Sequence, residues 1–223
     1  MAGVEIAEYG ITVPGWVEDL DSFNQWVDSK DFPETGRICF INGRVWADTS
    51  MEQPFVHNEV KLWISMVLAA LARKENLGRF FAEKMRLRND EADLSCEPDG
   101  LFVSYDGLKS ERVKLVPGTV SEYREFEGSP EMTLEVVSDS SEGKDFDELR
   151  ELYYRAGVEE YWLVDAREAR PVLDILRRGP RGYINARHQA GGWVRSQIFG
   201  KAFRLVRSKG PDGHPQFTLE HRD

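Results

Sequence analysis

Apolar positions along the chain recur at two spacings, helical and alternating, and these divide it into elements. In GWVEDLDSFNQWVDSK the residues Val17, Leu20, Phe23, Trp26 and Val27 fall at helical spacing, with Asp21 and Ser22 as capping residues, which predicts a short amphipathic helix. RICFINGRVWAD follows as two short apolar runs about Asn42-Gly43, a hairpin signal because both residues accept positive φ. The longest stripe, Val56, Val60, Trp63, Ile64, Val67, Leu68 and Leu71, predicts a helix that stops at Gly78. In RFFAEKMRLRN the alternation sets Phe81, Glu83, Met85 and Leu87 against Ala82, Lys84, Arg86 and Arg88, which predicts one strand with a basic face. EPDGLFVSYDG reads as a strand with Pro98 at its entry, and MTLEVVSD as a buried inner strand. DFDELRELYYRAGVEEYWLVDA gives a helix, a stop at Gly157 and a strand from Tyr161 to Val164. VLDILRRGPRGYINAR and WVRSQIFGKAFRLV read as further strands or hairpins, and the charged tail 207–223 as loose.

A strand, helix, strand passage joined to hairpins implies a mixed central sheet flanked by helices, in the α/β or α+β class. At 223 residues the chain supports one core, so a single domain is expected, with 1–30 as a helical N-terminal extension. An apolar share of 41%, with 12 Phe and 6 Trp, argues against disorder. No apolar run approaches the roughly 18 residues of a membrane span. The first ten residues also lack the basic and apolar regions of a secretory signal, so a cytoplasmic protein without a membrane partner is expected. In that compartment Cys39 and Cys96 are expected to be small buried hydrophobes, and the absence of clustered Cys and His argues against structural zinc. The net charge of -10 opposes non-specific attraction to nucleic acid. It does not exclude DNA, because carboxylates that take up Mg²⁺ lose part of their negative charge.

Glu135 interrupts an otherwise apolar strand. An ionised carboxylate buried there changes its pKa, finds a cation or opens onto a cleft. Asp99, 36 positions earlier, lies one residue into another apolar strand and shares its face with Leu101 and Val103. Two acidic residues on neighbouring strands are the minimum equipment for a Mg²⁺ site that activates water against a phosphate ester. The same pattern is also met by strand ends that reach solvent or an arginine.

EPDGLFV, PEMTLEVVSDSS and KDFDELRELYYRAGVEEYWLVDA, together with INGRVW, His57 and EKMRLR, resemble a large bacterial family of putative restriction endonucleases in the PD-(D/E)xK nuclease superfamily. The likeness runs from about Ile38 to Asp165, and more weakly to Leu205. It implies a restriction-endonuclease-like fold with a Mg²⁺ or Mn²⁺ ion held by Asp99, Glu135 and the carbonyl of Val136. It further implies DNA as partner and a homodimer. The motif lysine is missing: Val137 stands at its place, and Leu149 at the helical position where many members carry a lysine instead. Lys144, Arg150 and Lys84 are the candidates to replace it, each also readable as an ordinary surface charge. His57 is a capping or packing residue, or a catalytic one. Glu59 and Glu97 could enlarge the acidic cluster, and Tyr153 and Tyr154 supply one core and one surface ring. Arg177, Arg178, Arg181 and Arg187 either track a phosphate backbone or form a solvated hairpin. The function implied is metal-dependent cleavage of DNA. The alternatives are a catalytically degenerate interaction module that kept the fold, or a site acting on a small phosphoester.

Overall fold

The computed structural model describes residues 4–6, 11–118 and 122–223. Residues 1–3 and 7–10 of the expected N-terminal extension lie outside the described residues. Two strands, β1 (Val4–Ile6) and β2 (Ile11–Val13), pair into a ribbon ahead of helix α1 (Leu20–Val27), so the extension begins as strands rather than helix. Asp19, not Asp21, caps α1, accepting the Ser22 N–H at 2.8 Å.

β3 (Arg37–Ile41) and β4 (Arg44–Asp48) form the expected hairpin, with Asn42 and Gly43 at φ 53° and 75°. A π turn, Pro54–Asn58, leads into α2 (Glu59–Lys74). The helix stops before Gly78, because Asn76 takes the left-handed position (φ 54°) and Leu77 N–H closes onto Ala72 O at 2.9 Å. Residues 54–74 have the length and mean hydropathy (1.3) of a membrane span by composition alone. Val60, Ile64, Leu68 and Leu71 of this segment are buried in the core.

The segment read as one strand over 79–89 is two, and this difference builds the site. β5 (Gly78–Ala82) belongs to one sheet and β6 (Arg86–Asn89) to another, with Glu83 and Lys84 in left-handed conformations (φ 33° and 54°) at the corner between them. The chain crosses back between β7 (Leu94–Cys96) and β8 (Gly100–Ser104), with Asp99 at that second corner rather than inside the strand. Glu83 N–H bonds Asp99 O at 3.2 Å and ties the two corners together.

After α3 (Tyr105–Lys109) come β9 (Val113–Pro117), β10 (Tyr123–Gly128) and β11 (Met132–Val136). A second π turn, Lys144–Glu148, precedes α4 (Leu149–Arg155), which Gly157 ends at φ 82°. β12 (Glu160–Asp165), β13 (Val172–Gly179), β14 (Gly182–Asn185), β15 (Val194–Arg195), β16 (Ala202–Lys209) and β17 (Pro215–Arg222) complete the chain. The class is mixed α+β, as expected, but the strands divide between two six-stranded sheets, β4-β3-β7-β6-β10-β9 and β14-β13-β12-β11-β8-β5, with a three-stranded sheet β15-β16-β17 beside them. Among the described residues, only β11 with β12 and β6 with β10 pair in parallel. One face of β11, Met132, Leu134 and Val136, packs with α2 and the three-stranded sheet. Its other face meets a second cluster that holds α4 and the other six-stranded sheet.

The tail from 207 is not loose. β17 pairs with β16 over eight residues, and its alternation turns Phe217 and Leu219 into the core. Phe217→Ala is therefore expected to cost about 3–5 kcal/mol in urea unfolding. A frayed tail would give a change within roughly 0.5 kcal/mol.

Candidate active site

The antiparallel register of β8 on β11 pairs Phe102 with Met132, Leu101 with Thr133 and Gly100 with Leu134. Asp99 directly precedes β8 at the corner, and Glu135 lies within β11 one residue beyond the last paired position. Glu135 faces α4, where it meets Tyr153, while Asp99 meets Arg37 of β3 and Lys61 of α2, and each carboxyl is about 1% exposed. They lie under a cleft of about 600 Å³ whose wall includes Arg37, Glu52, His57, Glu83, Val137 and Ser138.

Asp99 is saturated with donors. Its Oδ1 takes Arg37 at 2.7 Å and lies 3.7 Å from the Lys61 ammonium, while Oδ2 accepts the Val136 N–H at 2.7 Å. Burial raises its pKa, but Arg37 and Lys61 outweigh it and hold the carboxyl below the ordinary range. Lys61 Nζ also lies 2.5 Å from Glu52 and pairs with Glu83.

Glu135 is in a different state. Tyr153 donates to Oε1 at 2.6 Å, while Oε2 is buried, without a hydrogen-bond partner, and 3.8 Å from Lys144 Nζ. Burial pushes the carboxyl up to about 7, only partly offset by Lys144. Lys144 is shared with Asp145, which it meets at the shorter distance of 2.8 Å. One ammonium therefore faces two buried carboxylates, both raised by burial, and the more distant one, Glu135, titrates near neutral pH. Lys144 stays charged: burial opposes its charge, but Glu135 and Asp145 outweigh that and raise its pKa.

The residues singled out in the sequence separate clearly. Lys144 reaches Glu135 because the π turn folds it back: Leu149 N–H donates to Lys144 O, the wide i→i+5 bond. Leu149 and Val137 are buried together in the cluster that holds Tyr153, so both motif-lysine positions are packed as core. Arg150 is not at the site. It is exposed and bonds Tyr183 O at 3.4 Å, because its neighbour Leu149 takes the inward face of the helix. Lys84 is exposed at the cleft rim. The Val136 carbonyl, placed in the ligand set by the resemblance, accepts His57 Nε2–H at 2.7 Å. Glu97 pairs with Arg86 at 2.6 Å, and the acidic groups that gather with Asp99 are Glu52 and Glu83 rather than Glu59 and Glu97. Tyr153 is a core ring that also bonds Glu135. Tyr154 is half-buried and bonds Gly179 O at 2.9 Å. Arg177 and Arg178 bind the backbone of their own neighbourhood, at Arg195 O and Tyr154 O.

Arg37, Lys61, Glu52 and the Tyr153 hydroxyl were not visible as site residues in the sequence. Lys61 did leave a signal: it lies three residues before Ile64 and seven before Leu68, in the lane of the helix that is buried.

Comparison with known proteins bears on the whole arrangement. The Uma2 family model, described as "Putative restriction endonuclease", matches residues 20–205. No curated protein matches the chain. Among solved structures, a protein described as a putative nuclease belonging to DUF820, from Anabaena variabilis, superposes with a TM-score of 0.61 at 18% identity, covering 82% of this chain and 90% of that one. At that identity the likeness speaks for the fold.

Proposed function

The chain belongs to the family of putative restriction endonucleases, and from that premise we propose that it hydrolyses DNA phosphodiesters with a divalent metal, Mg²⁺ or Mn²⁺, held by Asp99 and Glu135. The observation that carries this reading is the pair itself: two buried carboxylates, one within β11 and one at the entry of the adjacent strand β8, with one oxygen that no protein donor satisfies. The donor atoms are all carboxylate oxygens, which suits hard cations, and the orphaned Oε2 of Glu135 is the group a cation would satisfy. A metal bound there would act as a Lewis acid, sharpening an attacking water and neutralising charge on the phosphate.

The protein's own groups divide the remaining work. Val136 N–H and Arg37 fix the Asp99 carboxylate from two sides. Tyr153 fixes one oxygen of Glu135 and leaves the other free. Lys144 supplies the positive charge that the motif lacks at Val137, beside the free oxygen, where it stabilises developing negative charge. Arg37 faces the cleft and is placed to meet a phosphate oxygen.

The expected result is nicking of supercoiled plasmid by the purified chain with Mg²⁺ or Mn²⁺, abolished by chelator and restored by returning the metal. Because Glu135 must lose its proton to bind a cation, apparent metal affinity should rise between pH 6 and 8 and flatten above. A protein that binds no metal across that range, and cuts neither duplex, single strand nor RNA, contradicts the proposal. One observation favours the other reading, a non-catalytic module: Asp99 is already satisfied by protein cations, and both motif-lysine positions are apolar. The same assay separates the two.

A further inference from the structure

We propose that arginines of the C-terminal strands form the surface that carries the DNA backbone onward from the cleft. The inference rests on the DNA-cleaving reading above and adds where the rest of the substrate lies. Charge is divided unevenly along the chain. From Arg167 to the end, 12 Arg and Lys stand against 5 Asp and Glu, a net of +7, whereas residues 1–166 carry 17 against 34, a net of -17. A polyanion is repelled by most of this molecule and attracted by its C-terminal segment. Ten of those 12 cations are arginines, whose planar forks match phosphate oxygens.

The fold gathers part of this charge into one strip beside the site. Arg167 stands on the wall of the cleft, and Arg170, three residues on in the same turn, lines a second, shallower groove of about 360 Å³. Three peptide steps span at most about 11 Å, so the groove opens next to the cleft. Its other wall is β16, with Arg204, Leu205, Val206 and Arg207, and among the described residues no carboxylate lines it. Beyond the groove, the register sets Arg195 opposite Ala202 and Ala202 opposite Arg222. Both arginines therefore share with Arg204 the face of the three-stranded sheet turned away from buried Phe203 and Leu205. The guanidiniums of Arg204 and Arg222 lie against one ring, 4.7 and 4.3 Å from the Trp193 centroid. That contact orders both side chains before DNA arrives, which lowers the entropy cost of binding. Glu220 of β17 and Asp223 at its end are already paired, with Arg204 and Lys201. Arg195, Arg207 and Arg222 instead bond uncharged oxygens, of Gly200, the Glu168 backbone and the Gln189 amide, and Arg170 is exposed, so these four keep their charge for a phosphate.

The test is fluorescence anisotropy of a labelled DNA duplex with the full chain, metal withheld so that nothing is cut, across salt from about 50 to 200 mM. The native chain should bind with an affinity that falls as salt rises. A chain carrying both Arg170→Gln and Arg222→Gln, two exposed positions, should bind tenfold or more weakly. Its slope of log affinity against log salt should be shallower by about 2, close to one per lost phosphate contact. Lys109→Gln, which removes an exposed cation of α3 in the acidic part of the chain, should change neither quantity. Native affinity and slope in the double variant, or an equal loss in Lys109→Gln, overturn the surface; if the native chain then still nicks plasmid with metal, the proposed function stands without it. Arginine-dependent binding by a chain that cuts nothing supports the surface and overturns the proposed function. Arginine-dependent binding to vesicles of anionic phospholipid, with no binding to DNA, overturns the surface in favour of a membrane.

Discussion

Replacing Lys144 by methionine should lower the metal-dependent cleavage rate by roughly 10²–10⁴-fold, with little change in KM. The ammonium lies 3.8 Å from the Glu135 oxygen that no other protein group satisfies, and it is 3% exposed, so its field is poorly screened by water. Methionine preserves the length of the side chain and its packing over the Trp46 ring, where the ammonium sits 4.8 Å from the centroid. The charge is what is removed. Without it, Glu135 and Asp145 are two buried carboxyls with no cation between them, and both should take up protons near neutral pH. Lys144→Arg keeps the charge and should recover part of the rate, which a purely structural role would not demand. Single-turnover nicking, with circular dichroism to confirm folding, reads both variants. A rate within threefold of native in Lys144→Met would mean that nothing here replaces the motif lysine.

Glu135→Gln is expected to make the protein more stable. Burial pushes the folded-state pKa up to about 7 from an ordinary value of 4.5. The folded state therefore binds more protons than the unfolded chain between those values, and stability falls as pH rises through the interval. Glu135 is neutral in both states below about pH 4, and its contribution is lost once the pH has passed the folded-state value near 7. A glutamine carries no such cost. At pH 8 it should stabilise the fold by an amount on the order of 3 kcal/mol, and the advantage should vanish below about pH 4. Urea unfolding at the two pH values measures the difference. A carboxylate kept at a stability cost is expected where function requires it.

The strand around Glu135 is legible because a charge in an apolar strand stands out, and the strand that follows Asp99 does lie beside it. The Asn42-Gly43 hairpin was legible because few dipeptides accept positive φ at both positions. The corner at Glu83 and Lys84 was not. Neither residue is a glycine, and the alternation runs on unbroken through a point where the backbone turns left-handed and changes sheet. Arg37 meets Asp99 across 62 residues, a contact with no local signature. A helical stripe is defined by its apolar residues, so the lysine at 61 inside the buried lane does not register in it. In the tail the charges hide the alternation of Phe217 and Leu219, which are buried. The spacing is silent about Lys144, because its approach to Glu135 is made through a π turn, which no spacing rule foresees.

The central claim, that Glu135 is held in its buried strand to bind metal for phosphodiester cleavage, is tested most directly on one sample of Glu135→Gln. Its Mg²⁺- and Mn²⁺-dependent nicking rate is measured at pH 8, alongside its unfolding midpoint. The account predicts a fold more stable than native whose metal-dependent cleavage has disappeared. A Glu135→Gln protein that still cuts DNA at the native rate would contradict it.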